Sequence, residues 1–166
     1  MRVLERYLQD HHAGGSAGCR LARSLAHAVP TSRRGAIADV AREIEEDLKA
    51  LEQIMAELGV RPRRLRDAAA RFARLGARAR RVVARDRENR AAVLLIELEL
   101  LEMGITGKRL LWITLQSIIR DSDEERLETL LSRATSQQAT VEEARLHVAE
   151  MALRPDRHAL AGGGRG

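Results

Sequence analysis

The chain has 166 residues, 45% of them hydrophobic, which suits one domain with a real core. Aromatic residues make up only 2% and there is a single cysteine, so an internal disulfide and a cysteine-based zinc cluster are excluded. The net charge is +5, and almost every cation is arginine, Lys49 and Lys108 being the two lysines.

Five helical stretches follow in order, at about 1–29, 33–58, 62–83, 91–120 and 124–153. In the first, Leu4, Tyr7, Leu8, His11, Gly14, Gly15, Gly18, Ala22, Leu25 and Val29 fall on one face at helical spacing. His11 sits at the centre of that face, His12 points away and Cys19 lies off the stripe. Glycine inside a helix costs about 1 kcal/mol relative to alanine. Gly14 and Gly18, one turn apart beside His11, therefore read as a close helix contact, or as room for a ligand or metal. On the packing reading, leucine at Gly18 would overpack the protein.

Pro30-Thr31-Ser32 ends the first stretch and offers a cap for the second. The second carries Ile37, Ala41, Ile44, Leu48, Leu51, Met55 and Leu58 inward, and Gly59 and Pro62 stop it. The third is amphipathic, with Leu65, Phe72, Leu75 and Val82 on its apolar side. Residues 61–90 hold twelve arginines against Asp67, Asp86 and Glu88, a local charge of +9. Arg63, Arg64, Arg71, Arg74, Arg78 and Arg81 form a candidate surface for polyanions or an acidic protein partner. Phe72 is the lone aromatic there, and no nucleic-acid-binding signature accompanies the arginines, so sequence-specific reading is not expected.

The fourth stretch has the strongest stripe: Leu94, Leu98, Leu101, Ile105, Trp112, Leu115 and Ile119. Lys108 interrupts it. Gly104 to Lys108 lacks the spacing, the preceding strand and the following Ser or Thr of a phosphate loop. The fifth stretch, behind a capping box of Ser122 and Glu125, turns Leu127, Leu130, Leu131, Ala134, Val141, Val148 and Ala152 inward. Gln137, Gln138 and Arg145 break this stripe. A buried lysine or arginine needs a partner, and Asp47 and Glu97, each flanking its own stripe, are the natural candidates. His11, Asp47, Glu97 and Lys108 are thus the candidate ligand-binding residues, weighed against a structural polar layer that fixes helix register.

Four long amphipathic helices joined by short turns at 30–32 and 120–123, with a longer middle link, predict an all-α antiparallel four-helix bundle plus a basic helix. Residues 1–155 form the domain and 156–166 a flexible glycine-rich tail. The pattern resembles the ferritin-like arrangement. It is also similar to small uncharacterised bacterial helical proteins that share a YL-x-DH-x-AG opening, here Tyr7 to Gly14, and a segment approximated by Leu98 to Lys108. That resemblance implies a bundle and brings no activity with it. A ferritin-like di-iron centre needs Glu-x-x-His on two helices. None occurs, and the nearest spacing, Glu143 with His147, falls away from the stripe, so no cofactor is expected.

The charged amino terminus lacks a secretory pattern, and the longest apolar run, Ala91 to Ile96, is too short for a membrane span. The reading is a cytoplasmic, non-enzymatic helical protein that acts through association, with itself or with a protein partner. The alternative is a metal or small-ligand binder with His11 at its site.

Overall fold

The computed structural model describes residues 2–62, 90–119 and 124–153. Within them the chain is all-helical, with four helices and no strand. The helices are α1 (Arg2–Ala28), α2 (Thr31–Glu57), α3 (Arg90–Ile118) and α4 (Glu124–Leu153). The expected basic helix at 62–83, the Ser122 capping box and the tail lie outside the described residues.

Each helix packs on two others, α1 on α2 and α3, and α4 on α3 and α2, so α2 and α3 face each other across the centre. The core is mainly aliphatic, with Leu8, Leu25, Ile37, Ile54, Met55, Leu98, Leu101, Ile105, Leu115 and Leu127 almost wholly enclosed, as is Trp112. Burying each such side chain is worth about 1.5–3 kcal/mol. Long aliphatic stripes therefore suffice where aromatics are scarce.

The helix ends follow local chemistry, with one departure. Pro30 itself stands at the N-cap of α2 and no side chain caps the helix, so Thr31 is already helical. Proline's fixed φ suits a helix entrance, and it lacks the donor that a cap would have to satisfy. At the other end Gly59 has φ +69°. Its N–H donates to the Ala56 carbonyl at 3.0 Å and that of Val60 to Met55 at 2.7 Å. This is a Schellman closure, and glycine is the residue that adopts its left-handed turn without strain.

The face that α1 buries is rotated from the expected one. Leu8, Gln9, Ala13, Cys19, Ala22, Leu25 and Ala26 are inside. Cys19 is 6% exposed and belongs to the core. Glycines show nothing of which way a helix faces, whereas cysteine is among the most buried residue types. The close-contact position also moves. A Cβ on Gly15 would stand 3.0 Å from the Leu48 side chain, whereas one on Gly18 would meet nothing within 4 Å. The overpacking expected at Gly18 therefore belongs to Gly15.

Candidate functional site

Four polar side chains are buried among the described residues: Gln9, Asp47, Glu97 and Gln137. Two of them join Lys108 in a layer across the middle of the helices. Asp47 of α2 is 1% exposed, Lys108 reaches it from α3, and Gln137 and Arg133 enter from α4. Each follows from its place in its stripe: Asp47 falls between Ile44 and Leu51, Lys108 between Ile105 and Trp112, and Gln137 between Ala134 and Val141.

The Lys108 ammonium donates to Asp47 Oδ2 and to the Gln137 side-chain oxygen. The Gln137 amide then donates to Asp47 Oδ2 and to Glu43 Oε2, both at 3.1 Å. This fixes the amide's orientation, oxygen to the cation and nitrogen to the carboxylates. Arg133 Nη2 stands 2.6 Å from Asp47 Oδ1 as an ion pair that is out of line for a hydrogen bond. Its other terminal nitrogen donates to Glu46 at 3.0 Å, and Glu46 accepts from Arg42 at 2.9 Å on the surface. A chain of alternating charge thus runs from solvent to the centre of the protein.

Burial holds the Lys108 amine below its ordinary range, and the Asp47 carboxylate works against that shift. A lysine so depressed can serve as a base or nucleophile. Here its side chain is 15% exposed and is occupied by Asp47 and Gln137. From outside, a shallow depression between α2 and α4 meets the layer at Glu43 and Arg133, with Glu128, Thr129, Ser132 and Ser136 completing its lining.

Of the four candidate ligand residues, Asp47 and Lys108 come together. Glu97 is buried but lies three turns along α3 from Lys108, about 16 Å at helical rise. His11 is half-buried and sets its ring edge-on to Tyr7, with centroids 4.5 Å apart. Tyr7 donates to Thr114 of α3 at 3.3 Å. His12, expected to point away, turns towards α2 instead and pairs with Glu52 at 2.9 Å. Two histidines in succession flank the seam because α1 is rotated towards Cys19. No group of three His, Cys, Asp or Glu among the described residues is placed to hold a metal ion. The six arginines Arg63, Arg64, Arg71, Arg74, Arg78 and Arg81 lie outside the described residues.

Arg133 and Glu43 are the members that sequence reasoning missed. Both sit at the edge of a stripe and look like ordinary surface charges. The available signal was their spacing, Arg133 one turn before Gln137 and Glu43 one turn before Asp47.

Burial lowers the affinity of His11 for a proton, with Asp10 opposing. Below its ordinary value of 6.5 the unfolded chain takes up that proton more readily than the folded chain. This contribution to stability is present above 6.5 and is lost as pH falls through the folded value. Denaturation midpoints should therefore fall between neutral pH and about 5, and His11→Phe should flatten the slope. An unchanged slope in that variant would remove His11 as its source.

No described helix is long and apolar enough to cross a membrane. Compared with family models, curated proteins and solved structures, the chain matches none.

Proposed function

We propose that this chain is a non-enzymatic, cytoplasmic helical bundle that works by protein association, chiefly with copies of itself. The observation that carries the reading is its outer surface. Val3, Met103, Leu110, Ile113, Ile118, Leu146, Met151 and Leu153 are 41–85% exposed, four of them on α3 and three on α4, and large apolar side chains left at the surface favour association where they adjoin. The polar layer supports a structural role, because Lys108, Asp47 and Gln137 satisfy one another within the chain.

The arrangement we propose is antiparallel and ferritin-like, two helical hairpins joined by the long middle link. Its support is the order of the contacts. Along α2 the residues Arg33, Glu46 and Glu57 meet Glu143, Arg133 and Arg126 of α4 in descending sequence. Along α1, His12 and Arg23 meet Glu52 and Glu45 of α2 in the same sense. The +9 segment adds weak, salt-sensitive contact with polyanions as a second property.

Light scattering on the purified protein, combined with elemental analysis, tests the reading. It expects a mass above that of one chain and no stoichiometric metal. A strict monomer carrying bound metal would overturn it in favour of a metal-binding protein.

A further inference from the structure

Arg145, one of the residues that break the stripe of α4, takes no part in the central layer. Its guanidinium turns to the seam between α3 and α4 and meets two carboxyl groups there, Glu142 on its own helix and Glu102 on α3. Glu142 takes the donors on that edge of the fork: Nε donates to Oε2 at 2.9 Å and Nη2 to Oε1 at 2.7 Å. Nε carries a single hydrogen. Glu102 Oε2, 3.3 Å from the same nitrogen, therefore stands beside the charge as an ion pair without receiving that hydrogen. Among the described residues no N–H donates to the Glu102 carboxyl group.

One cation thus faces two acids, and Glu99, one turn before Glu102 on α3, adds a third. The Glu102 and Glu142 side chains are also hydrogen-bonded to each other. Ionised carboxylates only accept, so a hydrogen bond between two of them needs a proton on one. The geometry says which. Arg145 holds Glu142 below the usual carboxylate range through its hydrogen bonds. Burial pushes Glu102 above its ordinary value of 4.5, the Glu142 charge adds to that, and Arg145 opposes it. The charged groups facing Glu102 are Glu142 and Arg145 from α4 and Glu99 from its own helix; α1, which also packs on α3, supplies none of them. One turn further along α3 the seam is tied by Gln138, which donates to Thr106 at 2.9 Å.

We propose that Glu102 and Glu142 share one proton taken from solvent in mild acid, Glu102 donating to the Glu142 carboxylate, so that the α3–α4 seam carries a clasp that closes as pH falls. With the proton on, Arg145 and Glu142 balance in charge and Glu102 donates across the seam. With it off, two carboxylates repel each other across the seam with one guanidinium between them. The contribution to stability is complete below 4.5, where the unfolded chain is protonated as well, and is lost as pH rises through the higher folded value. Its sign is opposite to that of His11.

Carbon-13 NMR of the side-chain carboxyl groups in the full chain tests this, with Glu102→Gln and Glu142→Gln beside wild type. In wild type the titration midpoint of Glu102 should lie above 4.5 and that of Glu142 below it. Glu142→Gln should bring the Glu102 midpoint down towards 4.5. The amide of Glu102→Gln donates to Glu142 at every pH. Its chemical denaturation should match wild type at about pH 4 and move to higher denaturant than wild type as pH rises to about 8. A Glu102 midpoint at or below 4.5 would mean that Arg145 holds both groups as carboxylates, and the clasp would be overturned. A midpoint that Glu142→Gln leaves in place would assign the proton to Glu102 alone and overturn the sharing. A difference between wild type and Glu102→Gln that is constant with pH would show that the proton does not act on the fold, which overturns the clasp as well.

Discussion

Asp47→Ala is expected to destabilise the protein by about 3–5 kcal/mol, because removing one partner of a buried ion pair leaves the others desolvated and unpaired. Asp47 is the hub of the layer: Lys108, Gln137 and Arg133 all converge on its carboxylate. At about 2–4 °C per kcal/mol for a chain of this size, the melting temperature should fall by roughly 10 °C. Lys108→Met should cost less. It removes a cation that burial already disfavours, and it leaves Asp47 facing Arg133 and Gln137. The double variant Asp47→Leu with Lys108→Met should be milder than Asp47→Ala alone, since Arg133 is a quarter exposed and keeps Glu46. Chemical denaturation of the four proteins reads this directly. A cost for Asp47→Ala within the range of an exposed pair, at most about 1 kcal/mol, would mean that the carboxylate remains hydrated.

The contrast with the surface pairs shows why the layer dominates. Arg126 grips Glu57 with two hydrogen bonds, at 3.0 and 2.7 Å, and Arg33 meets Glu143 at 3.1 Å. Each bonds as well as a member of the layer does. The partners Glu57 and Glu143 are more than half exposed, however, so water competes for them and screens them. In the layer Asp47 is 1% exposed, so bulk solvent screens it little, and losing a partner there costs more than it does at the surface.

Much of this architecture was legible in the residues. The stripes of the second, fourth and fifth stretches return as the buried faces of α2, α3 and α4, because large aliphatic side chains at helical spacing leave one way to face. Asp47 and Lys108 were legible for a related reason, since a charge among leucines must be paired. The face of α1 was not legible, because glycine and histidine carry weak burial preferences and three glycines and two histidines fill its middle. The roles of Arg133 and Glu43 were hidden as well. A long side chain at the edge of a stripe can turn to water or to the core, and only the arrangement of neighbouring helices decides which. The exposure of Met103, Leu110, Ile113 and Ile118 on α3 could not be read either, because apolar residues spread around a helix do not show which of them its neighbours leave at the surface.

Trp112→Ala is expected to cost a further large amount, about 3–5 kcal/mol, through the cavity left in the core. Trp112 is fully enclosed and is the chain's only tryptophan. Its neighbours along α3 are Leu111 and Leu115, both buried, and rigid helix backbones limit how far they can collapse into the space. Phenylalanine at the same position should behave differently. The indole N–H is buried and finds no hydrogen-bond acceptor among the described residues. An unsatisfied buried donor costs about 1–3 kcal/mol, so Trp112→Phe removes a penalty while it removes volume. The two effects oppose each other, and the net cost should stay below about 1.5 kcal/mol, the range of a tolerated hydrophobic swap. The wild-type emission itself supplies a check, since a buried indole without a polar partner emits to the blue and shifts to the red only on unfolding. If Trp112→Phe proves as damaging as Trp112→Ala, the indole nitrogen has an acceptor after all, a bound water being the simplest. The loss would then be that of a hydrogen bond together with shape.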